Sequence, residues 1–504
     1  MKNSNLIQIL KTFSTGEIKE FGEFVRSGFF NKNESVIKLY DYLRKYHPDY
    51  EENRIAKEEI HRKIFAGTKY NDAFIRKIIF NLTHLAESYI TYNNSVQDPV
   101  DSGITLLAEL NKRKLEKLFT KHFTEIEKEN EVSGLKNHVY YRRKFALEAQ
   151  WSNYSDNMRY KVDLHDKKEY HNERTGEKLT HFVNYFLFHS MDTYRTLKYQ
   201  GYVDRFEYND ELLDNVIEYL LKELHESGTD GKSKYTGKLT LRVYLYEIML
   251  MRDKSGVERL ASDIYFLKLK DMLRNGSENL LHDSRFSLYN ILLQHCANRI
   301  MRGFSEYRTE RFVLDKIALE QKIYMSRVET EFPPPAFASI VRDACEMKEF
   351  EWARAFIEKN KGSLEQTNFE TVLNLSYAIV FFNEKDFMRS LEYLNKIKPV
   401  KRWEFKSAVK EMTMQVFYEL SMFEQAYYLV DSFRHFQSSM SRNFSIDRIE
   451  SRTNYLKFYT RLLRIKEDPD NTELENILNG LNNNSILIFN RDWLREKAEE
   501  LKLK

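Results

Sequence analysis

The chain has 504 residues, 42% of them hydrophobic and 31% charged, which excludes a disordered polymer and exceeds one ordinary compact core. Lys plus Arg (79) nearly cancels Asp plus Glu (76), with the signs mixed along the chain, and this argues against a nucleic-acid binder built on a basic domain. Glycine (16) and proline (7) are scarce, and no proline falls between Pro99 and Pro333, so an almost wholly helical protein of several domains or one extended array is expected.

Two cysteines, Cys296 and Cys345, lie in helical stretches and read as small apolar packing residues in a reducing compartment, without a disulfide framework. The first residues enter an amphipathic segment in place of a signal-peptide core. The densest apolar run, Leu375 to Phe382, falls well short of the ~20 residues that span a bilayer. A soluble, cytoplasmic protein with no membrane contact is expected.

Residues 1–95 read as an N-terminal helical module. Ser14 stands three before Glu17 in a capping-box spacing, and the helix after it places Ile18, Phe21, Phe24 and Val25 on one face and stops near Gly28. Asn31-Lys32-Asn33 is a turn, and Val36, Leu39, Tyr40 and Leu43 form the next stripe, ending before Pro48. Ile60, Ile64 and Phe65 make a third helix closed by Gly67, and Asn71 caps a fourth with a broad apolar face from Phe74 to Ala86. Asn93 to Ser102 reads as a linker.

Residues 101–332 read as long helices with few breaks: Ser133-Gly134, Ser152 to Asp156, Gly201, Ser227 to Gly237, Asn275-Gly276-Ser277 and Arg302-Gly303. Divergent repeats and an irregular helical domain fit this stretch equally well. Pro333-Pro334-Pro335 marks the sharpest boundary, because prolines are excluded from helix interiors and the residue before them is pushed to extended geometry.

A periodic section, 333–466, follows. Lys348-Glu349-Phe350 leads to Ala353, Lys385-Asp386-Phe387 to Ser390, and Ser421-Met422-Phe423 to Ala426. The aromatics are 37 and 36 residues apart, a period of helical pairs that stack into an α-solenoid. A small residue opposite a ring lets two helices approach closely. Residues 467–504, with Leu474, Leu478, Leu481, Ile486, Ile488 and Trp493, are expected to cap the array.

On these residues, positions ~336–440 resemble the tetratricopeptide (TPR) family, in which a repeat carries a small residue within its first helix, an aromatic opening the second, and a small residue three later. Ala378, Phe381, Phe387 and Ser390 fit, with Pro399 closing the unit. Val341 and Met414 at the early position depart from it, as do Asn360, Ile397 and Phe433 at the late one. The resemblance implies an all-α solenoid of TPR-like hairpins and a groove lined by Arg342, Glu346, Phe382, Asn383, Gln415, Tyr418 and Glu419. Taken whole, from Phe29-Phe30-Asn31-Lys32-Asn33 through Phe350-Glu351-Trp352-Ala353, the chain also resembles a group of bacterial all-helical proteins to which no activity is attached.

No catalytic constellation emerges. Gly231 to Gly237 with Lys238 has the wrong spacing for a phosphate loop, and Leu239 stands where Ser or Thr is needed. His282-Asp283 is similar to a metal-phosphohydrolase pair but lacks convergent ligands, and surface or cap residues are the simpler reading. The histidines from His122 to His189 show no His-x-x-x-His spacing. Tyr140 to Lys144 and Lys112-Arg113-Lys114 are the best basic patches, with acids close by. The expectation is a non-enzymatic, cofactor-free scaffold that binds a protein or peptide in its groove. The alternative is a regulator with a nucleic-acid-binding N-terminal module and a sensing repeat region.

Overall fold

The computed structural model describes residues 4–132, 136–158, 167–203, 210–226, 239–252, 259–276, 280–326, 331–365, 367–398, 402–440 and 446–502. Among these, regular structure is helical throughout, with 23 α-helices and a single isolated bridge between Phe332 and Leu364. The described chain forms two compact units, residues 1–134 with 139–182 and residues 135–138 with 183–504.

The first unit opens with α1 (Asn5–Thr12), α2 (Thr15–Arg26), α3 (Glu34–Leu43) and α4 (Lys57–Ile64), all packed around α5 (Asp72–Gln97). The capping box forms, with Ser14 N–H donating to Glu17 at 2.7 Å and Glu17 N–H to the Ser14 hydroxyl at 3.2 Å. Asn71 caps α5 by accepting from Phe74 N–H. Gly22 is required by its neighbour: a Cβ there would lie 2.8 and 2.9 Å from the ring carbons of Tyr40, whose hydroxyl donates to the Ile18 carbonyl. The linker expected at 93–102 is helical instead. α5 runs to Gln97, its polar tail held by Thr91 and Ser95 bonding back one turn, and Asp98 caps α6 (Pro99–Lys112) with Pro99 in its first turn.

A second small core joins Leu107 and Leu110 of α6 to Phe119 and Phe123 of α7 (Glu116–Val132) and Leu147 of α8 (His138–Met158). The breaks expected at Ser152–Asp156 and Gly201 lie inside α8 and α9 (Lys167–Val203), because runs of polar residues satisfy i to i+4 bonding as well as apolar ones do. The Tyr140–Lys144 patch is committed within the fold. Arg142 and Arg143 pair with Asp101 at 2.7 and 3.2 Å, and Lys144 pairs with Glu131 at 2.8 Å.

The second unit takes the remainder of α9, then α10 (Glu211–Glu226), α11 (Leu239–Arg252), α12 (Arg259–Asn275), α13 (His282–Met301) and α14 (Tyr307–Gln321). The expected loop from Ser227 to Gly237, with its phosphate-loop-like glycines, lies outside the described residues. From α11 onward, sequential helices pack as hairpins, α11 on α12 and α13 on α14, and α11 also touches α13. α15 (Pro334–Glu346) starts on its prolines: Pro333 caps it, while Pro334 and Pro335 occupy its first turn, where a missing N–H costs nothing. Three hairpins follow, completed by α16 (Phe350–Asn360), by α17 (Phe369–Asn383) with α18 (Phe387–Asn395), and by α19 (Trp403–Glu419) with α20 (Phe423–Met440). Their first helices, α15, α17 and α19, lie side by side in that order.

One turn recurs in all three. Lys348, Lys385 and Ser421 adopt left-handed backbone (φ 61°, 65° and 56°), and the next residue's N–H reaches back to Ala344, Phe381 and Phe417 at 3.0, 2.9 and 2.9 Å. Behind it, Ala353, Ser390 and Ala426 are fully buried, and the Ser390 hydroxyl donates to the Ala378 carbonyl at 2.9 Å. Phe387 meets Phe382 edge-on at 5.4 Å. The periodic aromatic-to-small spacing is therefore the seam along which each pair of helices closes. Pro399 lies outside the described residues.

The chain ends with α21 (Ile446–Glu467), α22 (Asn471–Leu481) and α23 (Arg491–Lys502). α22 and α23 pack on α21, and the segment between them crosses to the end of α13: Ile488 N–H donates to the Met301 carbonyl at 3.0 Å, and Phe489 N–H to Ser451 at 3.0 Å. Arg491, wholly buried, holds the crossing. Its guanidinium donates to the carbonyls of Met301 (3.0 Å), Leu481 (2.6 Å), Asn483 (3.1 Å) and Ile486. Burial lowers its pKa to about 10, still far above neutrality.

Two predictions follow from buried charge. Replacing Arg491 with Leu orphans those carbonyls, and equilibrium denaturation should show a loss of about 3 kcal/mol or more, because breaking a buried polar network leaves its partners unpaired. Glu247 of α11 is fully buried beside Arg195, whose Nε lies 3.2 Å from Oε2, and burial pushes its pKa up to about 7. Glu148 of α8, beside Arg174, is raised by burial to about 7 as well. A folded pKa above the unfolded value means full stabilisation below about pH 4.3 and progressive loss as pH rises towards 7, by about 1.4 kcal/mol per unit for each carboxyl. Melting temperature should fall across that window, and the Glu148→Gln/Glu247→Gln variant should flatten the slope.

Candidate partner-binding groove

Because α15, α17 and α19 run side by side, the residues near their C-terminal ends share one face, and the C-terminal segment lies opposite them. Between them is a cavity of about 610 Å³. One wall carries Arg342 and Glu346 of α15, Phe382 and Asn383 of α17, and Met412, Gln415 and Glu419 of α19. The other carries Phe489, Asn490, Asp492, Trp493 and Lys497. Six of the seven residues expected to face a groove thus line a single chamber.

Tyr418 is placed differently. It is 2% exposed and lies behind the wall, its ring 5.2 Å from Trp493 and its face 4.3 Å from the Lys466 ammonium. Its position in α19 turns it towards α21 and α23.

The two walls are joined by charge. Arg308 of α14 pairs with Glu346 and, at 2.8 Å, with Asp492. Trp493 Nε1 donates to Glu419 at 3.1 Å, and Lys497 lies 3.0 Å from the same carboxylate. Burial opposes the charge on Lys497, but Glu500 at 2.9 Å and Glu419 overcome it and raise its pKa. Arg452 of α21, 2.7 Å from Glu411, stacks over Phe489. Burial also pushes the Cys345 thiol up to about 12, so it is protonated at neutral pH and a poor nucleophile.

A second cavity of about 320 Å³ adjoins the first and shares Arg308, Arg342, Glu346, Phe489 and Asn490 with it. It extends to Arg311, whose guanidinium grips Asp343 at 2.9 Å, and to Gln294 and Asn298 of α13. The chamber is lined by charged, amide and aromatic groups together.

The other candidate chemistry disperses. His282 sits in the first turn of α13, its Nε2–H donating to the Lys322 carbonyl (3.1 Å), with Asp283 at 3.6 Å. His295 is stacked on Phe266 inside the fold. Among the described residues no cluster of three or more potential metal ligands occurs, and no helix is long and apolar enough to cross a membrane.

Sequence reasoning missed the opposite wall. Arg308, Asp492 and Lys497 carried no local signal, because Arg308 meets Asp492 across 184 residues of chain. No family model matches the chain, and comparison with curated proteins and with solved structures finds no similar one.

Proposed function

We propose that this chain is a non-enzymatic interaction protein, an α-solenoid of TPR-like hairpins whose chamber receives a segment of a protein partner. The observation that supports it best is the chamber itself: three successive first helices present side chains at equivalent heights to one space of about 610 Å³. The lining is stabilised before any partner arrives, since Arg308, Glu419 and Lys497 are already held by ion pairs. Such pre-ordering lowers the entropic cost of binding. The αL turns set the spacing of the hairpins, so residues displayed by one pair recur about 37 positions later in the next.

Ala408 lines the chamber from a half-buried position on α19 at the edge of the core, where a long side chain can extend into the open space and block it. Crosslinked affinity purification of full-length protein from its native cell, wild type against Ala408→Arg, tests the reading. The variant should melt at the wild-type temperature and lose its partner by roughly tenfold, as expected where energy concentrates in a few central contacts. Equal recovery by both proteins would place the interaction elsewhere.

A further inference from the structure

We infer that the segment entering this chamber is an acidic stretch of a partner protein, with Arg342 as its principal anchor. The inference rests on the groove reading above and adds the chemistry of the occupant.

Most charges in the chamber answer one another. Arg308 is shared by Glu346 and Asp492, Lys497 holds Glu419, Arg452 holds Glu411, and Glu384 pairs with Arg354. Arg342 is the exception. Its i+4 neighbour Glu346, the usual helical partner for it, is taken by Arg308, and among the described residues no carboxylate lies within ion-pair distance of the Arg342 guanidinium. It stands on the wall common to both cavities, so its charge is available to either.

Lys348 and Lys385 are unpaired in the same way. They occupy equivalent left-handed turns of successive hairpins, both line the chamber, and neither is paired among the described residues. Each of the six carboxylates in the lining has a cation within ion-pair distance, whereas Arg342, Lys348 and Lys385 are lining cations with no such partner among the described residues. Beside them, Gln415 is 6% exposed, lines the chamber and has no hydrogen-bond partner among the described residues. Its amide atoms are not sealed from solvent, and a peptide main chain offers both a donor and an acceptor to replace the water they meet.

A nucleic acid would bring anions too, but its phosphates need a continuous basic track and its bases an accessible aromatic platform. Here a single free guanidinium stands among apolar and internally paired groups, with Phe382 nine-tenths buried in the core. Carboxylates on a short peptide match one guanidinium in bidentate fashion, with the lysines steering from the rim.

A phage-displayed random octapeptide library panned against immobilised full-length protein tests this. Wild type should select a pool at least roughly twofold enriched in Asp and Glu, and Arg342→Glu should abolish that enrichment, because like charge excludes what opposite charge recruits. For one selected peptide, Arg342→Ala should weaken binding by about tenfold and Lys348→Ala by a smaller factor that shrinks as salt is raised. The Arg342 side chain makes no hydrogen bond or ion pair among the described residues, so its variants should keep the wild-type melting temperature. A neutral or basic pool, or an acidic pool indifferent to Arg342→Glu, overturns the inference; if Ala408→Arg still blocks that pool, the groove reading stands. Selection unaffected by Ala408→Arg, or none above background, counts against both. Displacement of the acidic peptide by a single-stranded oligonucleotide at lower concentration would assign the site to nucleic acid.

Discussion

The guanidinium of Arg491 is answered by main-chain carbonyls from three stretches: the end of α13, the end of α22, and the segment that follows it. Helix ends leave carbonyls without intrahelical partners, and burying them is costly unless something donates. One rigid fork of donors serves several of them at once, which a lysine could not do. Through that junction α23 is brought opposite α15, α17 and α19, where Asp492, Trp493 and Lys497 meet Arg308 and Glu419. Without it the first helices would present an open face; with it they wall a chamber.

The three αL turns do the complementary work along the array. Lys348, Lys385 and Ser421 each accept a backbone conformation that favours glycine, and each returns an N–H to a carbonyl one turn back. The left-handed residue fixes the angle at which the second helix leaves the first. The small residue behind it sets how closely they approach. Repetition of both puts the groove-facing side chains of consecutive hairpins into one space. Two lysines at these turns then become rim charges of that space, so a position chosen by backbone geometry also supplies electrostatics.

Much of this was legible in the sequence where the determinants are local. The capping box at Ser14 and Glu17, the Asn71 cap, and the aromatic-to-small spacing each depend on residues a turn or so apart, and each occurs as read. Six of the seven positions implied by the TPR resemblance line one cavity, because they fall near the C-terminal ends of adjacent helices. The polar tracts at Asn93–Ser95 and Ser152–Asp156 misled, since hydrophilic composition marks a solvent-facing surface as readily as a loop, and here it marks helix. Tyr418 shares its helix with groove residues but turns to the α21 and α23 side, a choice made by tertiary packing. The second wall was invisible for the same reason: the partners of α23 lie far away in sequence, and neither charge nor period announces them.

The claim that a partner's acidic segment enters the chamber beside Gln415 is tested most directly by placing a photo-reactive p-benzoylphenylalanine at that position in the full-length protein, irradiating it in the native cell, and sequencing the adduct. The account predicts an intermolecular crosslink into an Asp- and Glu-rich segment of one partner protein. Adducts confined to the chain's own α23, or crosslinks into nucleic acid, would contradict it.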